Sequence, residues 1–302
     1  MMIIKTPFNN GENKWININT DNTAELKSLY RDFDIDDEIA AYSLDKNERA
    51  HLDYDQPTDT FVLIFNVPNR NKIDDHYETI PMTFLIKDLR FITLSNSKNQ
   101  YVVSKMENYL KRHPDTTIFK FLFSSLLMIT DSFFPLVEEI NSDRKIINDK
   151  LKIKTTKQNL LSLSNLETGV VYFVSASRQN TVLLEQVRTH IIYRALDERE
   201  KEQFEDAVIE AKQLVEMTQV SSQILQQLSG TYNNILNNNL NDTMKILTAL
   251  SILLTVPTII TGFFGMNMPL PLENNPIGWL VTIAISIILW FGLSYILRRL
   301  MN

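Results

Sequence analysis

Cysteine is absent from the 302-residue chain, glycine occurs only seven times, and the four histidines, His51, His76, His113 and His190, stand far apart. Without cysteine there is no disulfide framework and no thiolate zinc site, which agrees with a reducing compartment. So few glycines leave no Walker loop, whose backbone needs glycine at fixed places to cradle phosphate. The histidines have no ligand spacing, and no nucleophile lies beside a base in a recognisable pattern, so an enzyme reading has no support. A formal charge of −6 argues against nucleic acid as the main partner, because a phosphate-binding surface needs an excess of basic residues. Residues 1–10 lack a basic segment followed by a long apolar stretch, so no secretory signal is expected there.

Charge is missing from long segments as well. Residues 246–272 and 274–297 contain no Asp, Glu, Lys or Arg, and the single acid Glu273 separates them. A helix crosses a hydrocarbon core of about 30 Å with roughly 20 residues, so each run is long enough to span a membrane. Lys245 bounds the first run on one side, while Gly265, Pro269, Pro271 and Pro276 break the backbone on the other. The spans are therefore expected at 245–264 and 277–297. Arg298 and Arg299 follow the second span, and the connecting loop has no basic residue. The positive-inside rule then places both termini in the cytoplasm and the loop outside, as a multi-pass protein of the cell membrane with the lipid bilayer as a partner.

Up to about His113 the chain reads as α/β, with strands over 60–67, 80–86, 90–94 and 101–104 and helices over 23–30 and 36–44. No proline occurs between Pro135 and Pro257, and only Gly169 and Gly230 interrupt that stretch. Helices are expected over 119–155, 157–196 and 197–264, the last extending roughly 100 Å at ~1.5 Å per residue. The fold class is an α/β cytoplasmic domain plus long helices continuing into a two-helix transmembrane hairpin. The expected layout is an α/β domain over 1–115, a helical region over 116–244, the first span over 245–264, an external loop over 265–276, the second span over 277–297 and a basic tail over 298–302. Asp32, Asp34 and Asp36 have the start of an EF-hand spacing, but Asp37 stands where Gly is needed and Ser43 where Glu is needed. That run reads instead as a turn with a helix N-cap.

Along the first span, Asn241, Met244, Thr248, Ser251, Thr255, Thr258 and Gly262 recur at alternating intervals of three and four. This spacing puts them on one helix face, while Leu247, Leu250, Leu253, Leu254 and Ile259 lie on others. The seam extends backward through Asn237 and Asn234 to Gly230. A polar seam seldom faces lipid, so it faces a lumen or other helices. Two readings stay open. The seam is a row of neutral oxygens accepting hydrogen bonds from a cation's water shell, or a polar packing face whose hydroxyls bond back to the backbone. One helix pair cannot enclose a pore, so a lumen requires several copies around an axis.

The segment Gly262-Phe-Phe-Gly265-Met266-Asn267-Met268-Pro269, followed by a second helix and a basic tail, resembles the CorA family of magnesium channels. The acidic α/β region, the long proline-free helix and the stretch Asp45-Lys-Asn-Glu-Arg49 extend that resemblance. It implies a funnel-shaped homopentamer with no cofactor, in which Mg²⁺ is both the transported and the regulatory ion. The first membrane helices would line the pore and the second would form an outer ring. Asn267 would present its carbonyl to hydrated Mg²⁺, Gly265 would permit the turn, Met266 would wedge the loop and Glu273 would add negative charge at the mouth. Met244 and Leu247 resemble the family's hydrophobic gate, and Asn241 its polar ring. Phe264 stands where the family commonly has Tyr, and Thr255 where an apolar gate residue can occur. Feedback by cytoplasmic magnesium would draw on Glu205 and Asp206 facing Asp88. Co²⁺ and Ni²⁺ are further expected ions. The alternatives are a relative specialised for Zn²⁺ or, in a different class, a membrane-anchored scaffold or sensor; a pure anchor has no use for hydroxyls in register.

Overall fold

The computed structural model describes residues 3–21, 23–266 and 276–301. The chain falls into two compact units, Met1–Ser229 and Gly230–Asn302. The first unit contains strands β1 (Ile3–Phe8), β2 (Asn13–Asn19), β3 (His51–Asp55), β4 (Thr60–Pro68), β5 (Thr79–Lys87) and β6 (Arg90–Ser95). They form one sheet in the order β1-β2-β6-β5-β4-β3, antiparallel throughout except for the parallel β2–β6 pair. Helices α1 (Thr23–Asp32) and α2 (Asp37–Leu44) follow β2. After β6 come α3 (Gln100–Arg112), α4 (Ile118–Asp131), α5 (Phe134–Ile153), α6 (Lys157–Thr189) and the short α7 (Ile191–Ala195). Helix α8 (Glu198–Phe264) begins in the first unit and ends in the second, where α9 (Gly278–Met301) follows.

Strand alternation sorts the side chains of the two central parallel strands. Ile16, Ile18, Ile92 and Leu94 pack with Leu26, Tyr30, Phe33 and Ile39 from α1, α2 and the turn between them. Trp15 and Phe91, paired across β2 and β6, point the other way and meet Phe121 of α4 edge-on, with ring centroids 5.6 and 5.1 Å apart. The Trp15 indole donates to the Thr93 hydroxyl at 3.1 Å, which donates to Asn17 Oδ1 at 2.7 Å. That chain satisfies the polar atoms this face buries.

Three sequence expectations are corrected here. The helix expected over 119–155 breaks at Ser132 and Phe133 into α4 and α5, and the one over 157–196 breaks at His190 into α6 and α7. The strand expected over 101–104 lies inside α3, where Val102, Val103, Met106 and Leu110 form a buried stripe at helical spacing that overrides the β-branched content. Strands β1, β2 and β3 have no counterpart among the strands expected from sequence. The first two are joined by Asn9, Asn10 and Gly11 with φ of 51°, 55° and 88°, a left-handed turn that asparagine and glycine tolerate best. The rejected calcium loop is a capped turn, since Asp36 Oδ1 accepts the Glu38 amide at 2.9 Å and Asp34 pairs with Lys87.

Three described stretches are long and apolar enough to cross a membrane, and burial separates them. The window in Ile118–Ile153 is 61% buried, whereas those in α8 and α9 are 6% and 0% buried. Core packing of Phe121, Leu122, Phe123 and Leu126 therefore accounts for the first, and no packing among the described residues accounts for the other two.

Helix α6 completes the edge that β4 leaves open. Strand β3 begins at His51, opposite Ile64, so the backbone of Asn66 runs past it. The Asn180 side chain takes the missing strand's place, with Oδ1 accepting the Asn66 amide at 2.9 Å and Nδ2 donating to the Asn66 carbonyl at 2.9 Å. Asn180 is 2% exposed, so no water replaces it. Asn180→Ala should destabilise the first unit by on the order of 2–4 kcal/mol, since two buried backbone groups lose their partners. Gln179→Ala should lose about 1 kcal/mol. Denaturant titration followed by Trp15 fluorescence measures both, and equal effects would overturn the edge-capping role.

Candidate functional site

Helix α8 is anchored by a reciprocal cap. The Glu200 amide donates to Asp197 Oδ1 at 2.7 Å and the Asp197 amide to Glu200 Oε2 at 3.0 Å, while Thr117 donates to the same glutamate at 2.6 Å. In the first unit one side of α8 buries Phe204, Ala207, Val208, Ala211, Leu214 and Leu225. Polar contacts join it there, Thr218 to Ser177 at 3.1 Å and Asn141 to Ser221 at 3.0 Å.

The opposite side carries Glu202, Asp206, Ile209, Gln213, Glu216, Val220, Gln223 and Gln227, and every one of them is exposed. Their intervals alternate four and three, and the same alternation continues through Gly230 to Gly262. The seam read from sequence therefore begins at Glu202, in the second turn of α8, and not at Gly230. In the second unit Asn234, Asn237, Asn241, Met244, Thr248, Ser251, Thr255, Thr258 and Gly262 are all exposed too. The half-buried positions there include Leu253, Val256, Ile260 and Phe264, on the other side of the helix, with Ala249 buried in line with them. Helix α9 shows the matching rhythm at Thr282, Ser286, Leu293 and Leu297. The seam thus turns away from the only other described helix of its unit. Leu247 is exposed at the edge of the seam, about 40° around the helix from Ser251.

The seam hydroxyls have a definite orientation. Ser251 donates to the Leu247 carbonyl at 2.9 Å, Thr255 to Ser251 at 2.8 Å and Thr258 to Leu254 at 2.9 Å. Each proton is directed at the helix backbone, which leaves both lone pairs of the oxygen as acceptors. At the end of α8, a Cβ on Gly265 would lie 3.0 Å from the Thr261 carbonyl, which already accepts the Gly265 amide at 2.9 Å. A side chain there would press on the carbonyl that closes the helix, so glycine fits that position with least adjustment. Met266 is half-exposed beyond it, and Asn267 and Glu273 lie outside the described residues.

The profile of the CorA-like Mg²⁺ transporter protein family matches residues 10–299. The chain belongs to the CorA family. Its members are transport proteins, not enzymes, and they sit in the membrane. The cobalt/magnesium transport protein CorA of Methanocaldococcus jannaschii is 24% identical over 294 residues, covering 94% of this chain and 90% of that protein. The complete structure of the CorA magnesium transporter from the same organism superposes with a TM-score of 0.78 at 24% identity, over 97% of this chain and 92% of that one. The full-length CmaX protein gives a TM-score of 0.70 at 12% identity, over 95% and 88% of the two chains. These likenesses establish the CorA fold, an α/β soluble domain with long helices and an apolar C-terminal helix.

The acids expected to sense metal in this CorA chain are not brought together within one copy. Glu205 accepts from both Arg188 and the Tyr193 hydroxyl, the latter at 3.0 Å. Asp206 is exposed on the seam, and Asp88 sits at the β5–β6 turn with φ 49°, 3.9 Å from Arg90. Among the described residues no three His, Cys, Asp or Glu side chains are placed to hold a metal ion. Sequence reading missed Arg188, which reaches α8 from α6 and bridges Glu205 and Glu185, the second at 3.3 Å.

Glu185 also accepts from Lys212 at 2.6 Å. The Lys212 hydrogen bond, followed by the charge of Arg188, outweighs partial burial and holds its carboxyl below the ordinary value of 4.5. Its folded pKa is depressed, so the stabilisation is complete above the ordinary carboxylate range and is lost as pH falls through the lowered folded value. Acid titration of stability should therefore be steeper in the wild type than in Glu185→Gln below about pH 4.5. Identical acid limbs in the two proteins would remove Glu185 from the α6–α8 contact energy.

Proposed function

We propose that this CorA-family chain is the subunit of a homopentameric divalent-cation channel that admits Mg²⁺ down the membrane potential. Helices α8 and α9 each cross the bilayer, both termini are cytoplasmic, and residues 265–276 form the external loop. The observation that carries this reading is the seam. Its polar members are exposed along the whole second unit while the opposite side of α8 packs, so they need either other copies or water in front of them.

The chemistry of the seam suits a hydrated cation. Water bound to Mg²⁺ turns its oxygen to the metal and its hydrogens outward, so the lining that receives it must accept hydrogen bonds. Ser251, Thr255 and Thr258 direct their own protons at the backbone, and Asn234, Asn237, Asn241 and Asn267 add amide oxygens. Mg²⁺ dehydrates reluctantly, so recognition through its water shell avoids most of that penalty. Neutral oxygens also release the ion, as conduction requires. Met244 and Leu247 serve as the hydrophobic constriction, with Gly265 and Met266 shaping the mouth and Glu273 concentrating cations there. An inward divalent charge gains about 2 × 2.3 kcal/mol across 100 mV, sufficient without ATP. Cytoplasmic Mg²⁺ closes the channel by bridging copies through Asp206, Glu205 and Asp88. The path needs no resident cofactor, and Co²⁺ and Ni²⁺ share it.

Flux into liposomes with Mg²⁺, Co²⁺, Ni²⁺ and Zn²⁺ in turn, with and without an imposed potential, tests selectivity and driving force together. Asn267→Ala should abolish Mg²⁺ uptake in a transport-deficient host while the protein still reaches the membrane; normal uptake would sink the pore assignment. Asp206→Ala should retain flux at high internal Mg²⁺. Because the chain has no cysteine, an impermeant thiol reagent should label Glu273→Cys from outside and Arg299→Cys only from inside, and the reverse pattern would overturn the topology.

A further inference from the structure

In the second unit, α8 and α9 enclose a hollow of about 500 Å³ whose walls include Pro257 and Thr261 on one side and Ser286 and Trp290 on the other. Its surface is almost wholly apolar, because both hydroxyls are spent locally. Thr261 donates to the Pro257 carbonyl at 2.9 Å and Ser286 to the Thr282 carbonyl at 2.9 Å. The remaining wall is Ile283, Ile287 and Phe291 of α9, which are 48%, 50% and 64% exposed. An open hollow with no free donor does not hold water, which needs two or more polar partners.

A basic group stands on the same face. From Ile283 the positions Ile287, Phe291, Ser294 and Arg298 follow at intervals of four, four, three and four, so they share one side of α9. Arg298 is exposed in the last turn of the helix, and Arg299 lies about 100° further around. Phe291 is seven residues from Arg298 and Ile287 eleven, or roughly 10 and 16 Å along the axis at ~1.5 Å per residue. Half the hydrocarbon core is about 15 Å. A guanidinium at the interface and an apolar hollow one leaflet-depth inward match a phosphate and the chain attached to it.

We propose that this face binds an anionic phospholipid of the cytoplasmic leaflet, with its phosphate on Arg298 and an acyl chain in the hollow between α8 and α9. The proposal rests on the membrane topology given above but not on the identity of the transported ion. The bound chain fills the space beside Pro257, whose ring removes the amide that would bond the Leu253 carbonyl, and so supports α8 where its own ladder is interrupted.

Trp290 is a built-in reporter. The test uses the full chain carrying Trp279→Phe in phosphatidylcholine vesicles doped with acyl-brominated phosphatidylglycerol or acyl-brominated phosphatidylcholine. Trp15 is buried in the first unit and stays as a constant background. Brominated phosphatidylglycerol should quench Trp290 at about 5-fold lower mole fraction than brominated phosphatidylcholine. Arg298→Gln should bring that ratio to about 1, whereas Arg299→Gln, with the same loss of charge off the face, should leave it. Ser286→Leu should weaken quenching by filling the hollow. Equal quenching by both lipids, equal effects of the two arginine variants, or no quenching because another copy occupies the hollow would each overturn the proposal. Thiol labelling of Glu273→Cys and Arg299→Cys in the same vesicles reports topology separately, so failure of that reading is recognised on its own.

Discussion

A helix that buries one side in its own protein and leaves a regular polar line on the other is constrained by both solvents it meets. In water the line is solvated, and Glu202, Gln213 and Gln223 stay exposed without penalty. In hydrocarbon every polar atom must be satisfied by protein or trapped water, and Ser251, Thr255 and Thr258 meet that need only for their protons, which leaves their lone pairs without a donor. Since α9 lies on the other side of α8, the proposed assembly supplies the missing cover from further copies or from water between them. A seven-residue repeat also drifts by about 20° per heptad on a straight helix. Copies that keep the line turned toward one axis must therefore wrap around it with a left-handed sense.

The same constraint divides the labour of the hydroxyls. Bonding back to the backbone is usually the sign of a side chain with nothing better to do, and it explains why Ser251 and Thr255 can sit inside a membrane at all. Yet it also fixes the polarity of the line, because a hydroxyl whose proton is committed presents only acceptance. The packing reading and the lumen reading of the seam, which compete when only the sequence is considered, are thus compatible at the level of atoms. What separates them is the acceptor-only character of Ser251, Thr255 and Thr258, which suits the outward hydrogens of a metal's water shell and gives a packing partner without donors nothing to bind.

The long helices were legible because no proline falls between Pro135 and Pro257, although α8 runs on through Pro257 to Phe264. Strands β1 and β2 were not legible, because β1 carries Pro7 and β2 has asparagine at three of its seven positions and pairs with the sequence-distant β6. Tyr101, Val102 and Val103 misled for the opposite reason: local β-propensity pointed one way and the longer apolar period of α3 the other. The seam could be seen only as far as Gly230 because polar residues contrast with leucine and isoleucine in the membrane half. In the water-facing half polarity is everywhere, and Ile209 and Val220 blur the pattern further. Spacing alone carried the signal there, and burial of the opposite side makes it visible. Arg188's grip on Glu205 depends on two helices meeting, which no local pattern encodes.

Hydropathy by itself ranks α4 with α8 and α9, so it cannot decide which of them leaves the protein. The decision lies in whether the apolar surface has a protein partner. Phe121, Phe123 and Leu126 find one in the sheet and in Phe204, with Phe123 and Phe204 only 5.0 Å apart between ring centroids. Ile283, Ile287 and Ile288 of α9 find none in the chain. Helix α9 therefore has two distinct sides, one of Thr282, Ser286, Leu293 and Leu297 toward α8 and one of Ile283, Ile287 and Phe291 that ends in Arg298. A helix that only tethered the chain would need the apolar side alone. The pair does not close along its length, since the hollow between Pro257 and Trp290 stays open.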